Sequence, residues 1–551
     1  MRGKDQLFKN SKYLRPRHIV CVTMAFLVSP YLPAVAAAIL VSVLLFQLRP
    51  NKQSLPPGTK LPPGPPGKLV IGNLLDIPPQ HSWFKFHELL QQYGPIVRIT
   101  IAGQEHVLLG KERLANDLLR ERGNIYSDRP QPIASVKLLS DDRFVLFLPY
   151  GDVWRRCRRL MHHVTMSAVA PAYQPEQTIE AVRLLRDIIR DPADYQAMFE
   201  RFSVGIGMRL IYGQRLASGH DSDARTILDI VHELERVGSP GAYLVDIFPA
   251  MMYIPDFLAP WKRYLKGRQR TDEAFFTDMV NRAKRDMDAG KTYKSWVRTW
   301  LEKKEQWGLE DGIAIYLFAS VFDAAATSTS SAMMSFVLAM VRYPECFAKL
   351  QAELDRVVGP DRLPTFDDMA DLPTVRACVK ETLRFYPVTA GGFPHKLTRD
   401  DVYEGYFLKA GTTVHPVQWA IHRDPELYPD PDVYNPDRWL DPSFPTYREP
   451  LTEYPNLQGF TAFGNGRRIC QGINIAERSS NLQVAMLAWG CDIRRARDAE
   501  GNEIVPPFYD FSAGFNVAPN TFPFDLTVRS KEKADLIERA YQQSLDDDPL
   551  L

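Results

Sequence analysis

Cysteine is scarce in this chain. There are six in 551 residues, Cys21, Cys157, Cys346, Cys378, Cys470 and Cys491. Their spacing fits neither a zinc finger nor a disulfide framework, and it suits a reducing compartment. Net charge is almost absent too. The 67 basic side chains face 66 acidic ones, for a balance of +1, so no global field favours nucleic acid. No internal repeat or long low-complexity tract appears, which sets repeat architectures aside. Charge is missing altogether from residues 19–48. That run is long enough to cross a bilayer, which takes about 20 residues. The length of the whole chain is enough for a core that ordinarily divides into domains.

Against this background one short segment stands out. Phe463, Gly466, Arg468, Cys470 and Gly472 fall in the pattern Phe-x-x-Gly-x-Arg-x-Cys-x-Gly. A lone buried cysteine is usually inert. A match at all five positions arises by chance on the order of once in ten thousand chains of this length. Glycine tolerates close backbone approach and positive φ. Backbone N–H groups after the cysteine can point at its sulfur and tune it.

Three further patterns accompany it. Glu381 and Arg384 lie three apart, on one helix face. Arg438 follows in Asn435, Pro436, Asp437, Arg438 and Trp439. Trp154 and Arg158 are four apart, which stacks them on one face of a helix. All occur in an order that resembles the cytochrome P450 family, and the resemblance covers nearly the whole chain beyond the apolar run. It implies a mainly α fold with a small β-rich region, preceded by a single transmembrane helix. Cys470 is then the metal ligand, a thiolate to haem b. Trp154, Arg158, His395, Phe463, Gly466, Arg468 and Gly472 bind or shield the haem. Glu381, Arg384 and Arg438 form a buried structural triad that holds the cysteine loop.

The same resemblance divides the chain. Residues 1–18 are a basic extension, 19–48 a membrane anchor, 49–67 a proline-rich hinge, 68–535 the catalytic domain and 536–551 a polar tail. The implied activity is a haem-thiolate monooxygenase of the filamentous-fungal type, acting on a lipophilic small molecule in secondary metabolism. It uses O2 and electrons from NADPH–cytochrome P450 reductase. It sits at the endoplasmic reticulum membrane with its catalytic domain in the cytosol, and it binds no nucleic acid. Two rivals are a haem-thiolate isomerase or dehydratase, marked by independence from NADPH, and a non-catalytic haem protein, marked by ligand-induced spectral shifts without product.

Residues 312–341 read as a long apolar helix. Aligned on Ala324, the chain has Ala325 where the family has glycine, Thr327 for its acid and Ser328 for its alcohol. Asp323, one turn before Thr327, completes the catalytic candidates, and protons are expected through ordered water or a substrate hydroxyl. The pocket is expected from residues 129–148, 243–258, 324–328, 388–393 and 512–517. Phe144, Phe147, Phe393 and Phe515 are its aromatic walls, and Gly391 and Gly392 leave room. Met251, Met252, Tyr253, Ile254, Phe257 and Leu258 are expected to meet a membrane surface. Arg155, Arg156 and Arg159 form a patch for an acidic reductase.

One feature conflicts with this topology. Arg2, Lys4, Lys9, Lys12, Arg15 and Arg17 precede the apolar run against a single Asp5, and such charge tends to stay cytosolic. Translation from Met24 removes the conflict. N-terminal sequencing of the native protein tests this expectation, and a recovered peptide containing Tyr13 refutes it.

Overall fold

The computed structural model describes residues 55–216, 221–239 and 241–550. The basic extension, the apolar run and Met24 lie outside those residues. The longer helices are α1 (Ser82–Tyr93), α2 (Asp152–Thr165), α3 (Gln174–Arg190), α4 (Tyr195–Gly207), α5 (Ser222–Gly238), α6 (Pro260–Asp288), α7 (Asp311–Arg342), α8 (Pro344–Val357), α9 (Pro373–Phe385), α10 (Ile473–Gly490) and α11 (Lys531–Asp546). Proline opens α6, α8 and α9, where its missing N–H costs no hydrogen bond. Asp221 caps α5 by accepting from the Asp223 N–H at 2.9 Å.

Burial follows the sequence pattern. On α2 the buried set is Trp154, Cys157, Leu160, Met161 and Val164, a helical stripe that leaves the arginines on other faces. By contrast α7 is apolar nearly all round. It alone among the described helices is long and apolar enough to cross a membrane, yet 78% of its most apolar window is buried inside the protein. It is therefore the central core helix. Gly207 permits α4 to press on it, since a Cβ there would stand 2.6 Å from the Phe322 ring.

The β structure is small. Strands β1 (Ile96–Ile101), β2 (Gln104–Leu109), β3 (His395–Lys396) and β6 (Thr413–Pro416) form one sheet in the order β1-β2-β6-β3. The β2–β6 pair is parallel and the other pairs are antiparallel. Two hairpin-like sheets, β4 (Asp401–Tyr403) with β5 (Tyr406–Leu408) and β7 (Cys491–Arg495) with β8 (Phe524–Val528), complete it.

Both chain ends of the described body differ from a hinge and a tail. Lys60 exchanges backbone hydrogen bonds with the β4–β5 hairpin, and the Arg98 N–H donates to the Pro63 carbonyl at 2.8 Å. The proline-rich segment from residue 55 on is thus stitched to the sheet. Residues 536–551 belong mostly to α11, which packs on α3 and buries Ile537. Most of their polar side chains face outward, but Ser544 and Asp548 do not. Asp548 is buried and takes two hydrogen bonds from Arg209, at 2.9 and 2.5 Å. Arg209 also reaches Glu180, which pairs in turn with Arg201. Replacing Asp548 with Asn removes one charge from this buried network and is expected to cost about 2 kcal/mol. Chemical unfolding measures it, and an unchanged midpoint would mean that the C-terminus adds nothing to the fold.

Candidate active site

The site begins with a tight loop. Turns at Thr461–Phe463 and Gly466–Arg468 flank Gly464, and the Cys470 N–H closes the loop on the Phe463 carbonyl at 2.8 Å. Gly472, two residues later, is the N-cap of α10. Cys470 therefore sits at the positive end of an 18-residue helix, where an anion is favoured. Burial pushes its thiol up. The Gly472 N–H, the charge of Arg158 and the Ile473 N–H oppose that rise.

The sulfur faces a cavity of about 400 Å³ between α7 and the loop. Ala324, Ala325, Ser328, Leu383, Phe393 and Phe515 are among its walls. One rim is cationic. The Arg158 Nη1 donates to the Ile469 carbonyl at 2.6 Å. Arg468 donates to the carbonyls of Ser127 and Leu148, at 2.8 and 2.7 Å, and lies 4.4 Å over the Trp154 ring. Arg129 donates to the Phe393 and Pro394 carbonyls, while its buried Nε has no partner. His395 bonds the Tyr126 carbonyl through Nδ1 at 2.8 Å, and Nε2 is left for another partner. Among the described residues none of the three arginines has a salt bridge, their hydrogen bonds going to backbone carbonyls. Burial first, then repulsion from Arg468, lowers Arg129 to about 9, and burial, with repulsion from Arg158, lowers Arg468 to about 10, while the charge of Asp128 opposes both falls. Burial lowers Arg158 to about 10 as well.

This donor set fits a haem. A flat macrocycle needs a thiolate on one face and a cationic rim for two propionates, and an unpaired buried guanidinium calls for an anion. Arg129 was not singled out as a haem contact by sequence. No local motif marks it, since its partners are almost 270 residues away. Gly472 lies beside the sulfur as expected. Gly466 has a different task. It adopts φ +60°, and a Cβ would fall 2.1 Å from the Leu119 carbonyl oxygen, so it locks the loop to the preceding layer and does not line the cavity.

The predicted triad is assembled. Glu381 is fully buried and accepts from Arg384 at 2.8 and 2.9 Å and from Arg438 at 3.0 Å. It also accepts from the Trp439 indole at 3.1 Å and the Asn435 N–H at 2.9 Å. Arg384 continues to the His422 carbonyl, and the His422 ring bonds the Thr461 hydroxyl. This path ties the triad to the cysteine loop.

The catalytic candidates on α7 separate. Asp323 lines the cavity, with Oδ1 sealed and unpartnered. Burial, then the nearby Glu235, holds its carboxyl well above the usual range. The Ser328 hydroxyl donates to the Ala324 carbonyl at 2.7 Å, so its proton is committed within the helix. Thr327 turns away, donating to Glu235 at 3.3 Å and accepting from Asn516 at 3.1 Å. Glu235 carried no sequence signal, being one charged residue in an amphipathic helix. Phe393 and Phe515 line the cavity, whereas Phe144 and Phe147 lie behind that wall in a core cluster on which Phe515 packs, with the Phe147 and Phe515 rings 5.9 Å apart. Residues 243–258 do not line it. Their tip faces outward, with Tyr253 90% exposed.

Comparison with known proteins agrees with this geometry. The sequence model described as Cytochrome P450 matches residues 62–488. A cytochrome P450 monooxygenase of Armillaria gallica is 37% identical over 488 residues, covering 88% of this chain and 92% of the relative. Cytochrome P450 monooxygenase fogE of Aspergillus ruber is 36% identical, over 86% and 88% of the two chains. Cytochrome P450 monooxygenase virE of Hypocrea virens is 32% identical, over 92% and 93%. The chain belongs to the cytochrome P450 family, whose monooxygenases are oxidoreductases with a haem-thiolate centre.

Replacing Glu381 with Gln strands two buried guanidiniums and is expected to destabilise the protein by about 3–5 kcal/mol. The haem-to-protein ratio after purification should fall with it. Full haem retention in this variant would show that the triad does not hold the loop.

Proposed function

We propose that this protein is a membrane-anchored monooxygenase of the endoplasmic reticulum, with its catalytic domain in the cytosol. It takes electrons from NADPH–cytochrome P450 reductase and oxidises a lipophilic small molecule in fungal secondary metabolism. The observation that carries the reading is Cys470 beneath a cavity whose rim bears three guanidiniums without salt bridges. The fungal relatives support the metabolic setting. When bound, the haem supplies dioxygen activation, and its thiolate favours O–O cleavage.

The chain's own residues do the rest. Arg129, Arg158, Arg468, His395 and Trp154 bind and orient the propionates. Phe463 shields the sulfur from water. Ala324 and Ala325 keep the α7 face small above the centre. Asp323, Thr327 and Ser328 are the proton-handling candidates, with Ser328 placed on the cavity wall. Three outward arginines, Arg155, Arg156 and Arg159, support docking of an acidic reductase. Tyr253, Phe257 and Leu258 are exposed, and they support contact with a membrane and entry of substrate from it.

Two variants test the reading. The reduced protein treated with carbon monoxide should show the thiolate-specific absorption band, and Cys470→Ala should abolish it. Reversing Arg155 and Arg156 to Glu should slow reductase-driven reduction at least about tenfold at low salt. An unaltered band in the first, or an unaltered rate in the second, refutes the corresponding part.

A further inference from the structure

A second cavity, of about 1300 Å³, adjoins the one over Cys470 and runs beneath α1 and the β1–β2 sheet. Glu235, Thr389, Gly392, Phe515 and Asn516 line both. Glu235 thus stands at the junction. Its position is fixed by close packing, because a Cβ on Gly238 would fall 2.3 Å from the Phe515 ring. Among the described residues its carboxyl is hydrogen-bonded by the neutral groups of Thr327 and Asn516. Across from it, on α7, the Asp323 Oδ1 is sealed from solvent and has no partner. The charge of Glu235 adds to burial in raising the Asp323 carboxyl. The neighbouring Arg236 gives no relief, since it turns outward to Glu233 and Tyr243.

The arginines of the cationic rim line the same cavity, yet neither carboxyl has a salt bridge among the described residues, and such unpaired carboxyls are costly where water is excluded. Most of the remaining wall is apolar, through Val145, Leu146, Val321, Leu383, Phe393 and Phe515. A ligand that relieves the cost has an apolar body and one cationic end. We propose that Glu235, seconded by Asp323, is the recognition group for a substrate bearing a positively charged nitrogen. The nitrogen lodges at the cavity junction and the apolar body extends over Cys470. This rests on the haem-thiolate reading above and names the substrate class for the same site.

The proposal has a pH signature. Burial raises the Glu235 carboxyl to about 7, so its charge, and with it affinity for a cation, grows as pH rises through that value. Asp323 changes with the same sign. His232 and Arg236 share α5 with Glu235 but lie exposed on it. The second cavity also carries His81, Glu200, His106 and His415 on its walls. Burial holds His106 to about 4 and His415 to about 3, so both stay neutral throughout.

The test uses three probes of one chain length, n-octyltrimethylammonium, 1-octanol and octanoate, added to the haem-loaded protein. Binding is read from the shift of the haem absorption band, and the quaternary ammonium has no lone pair to ligate iron. The cation should bind about tenfold tighter than the alcohol, and octanoate weakest. The preference should grow from about pH 6 to about pH 8 as the carboxyl ionises. Glu235→Gln should erase both the preference and its pH dependence. Equal affinities for cation and alcohol overturn the proposal, as does a preference that survives in the Gln variant. A pH-independent preference in the wild type overturns it as well, should the variant lose its haem. The thiolate absorption band judges the parent reading separately, because it does not depend on which probe binds.

Discussion

Arg129, buried, and Arg158 and Arg468, half-buried, stand along one rim of a cavity, and none has a salt bridge to a carboxylate among the described residues. Each is held by backbone carbonyls from a distant segment. Arg129 grips residues 393–394, Arg158 grips 469, and Arg468 grips 127 and 148. The cradle for an anion and the clamp that joins these segments are therefore the same three side chains. Carbonyl dipoles satisfy the donors only in part and leave the positive charges facing one another. A dianionic edge seated there relieves both desolvation and repulsion. Because it binds only the assembled rim, it also stabilises the fold by mass action.

The Glu381 cluster solves a similar problem in the opposite way. One carboxylate sits between two guanidiniums and receives five hydrogen bonds. The surplus positive charge is absorbed by the carbonyls of His422, Pro429, Pro431 and Val433. A fully satisfied buried network of this kind fixes geometry more than it adds stability. Here the geometry runs on through His422 to Thr461, at the root of the cysteine loop. The His422 ring also stacks on Phe460, 5.0 Å between centroids. Rigidity is thus delivered to the residues that aim Cys470, although the triad does not touch the cavity.

Much of this was legible in the residues, for a physical reason. The cysteine loop, the Glu381–Arg384 pair and the Trp154–Arg158 pair are local, so spacing alone brings their members together. What depended on tertiary contact was hidden. Arg129 and Glu235 gain their roles from neighbours across the fold. Gly466 was read as a gap for a macrocycle and proves to be a gap for the Leu119 carbonyl. Phe144 and Phe147 have the right character and the right region, yet the chain sets them behind the cavity wall. The C-terminal stretch read as a polar tail, because composition does not reveal a buried Asp548 facing Arg209.

The altered α7 sequence acquires a meaning only from its neighbours. Thr327 stands where the family resemblance places an acid, and its hydroxyl is committed to Glu235 and Asn516. The carboxyl has in effect moved from α7 to α5. A carboxylate carried on α7 would be fixed relative to the loop below, because both belong to the packed core. One carried at the end of α5 is set by the contact between Gly238 and Phe515, which belongs to the cavity wall. Glu235 and Phe515 line both cavities, so the acid and the aromatic wall meet at one junction, with Glu235 three residues before the glycine on which the ring rests.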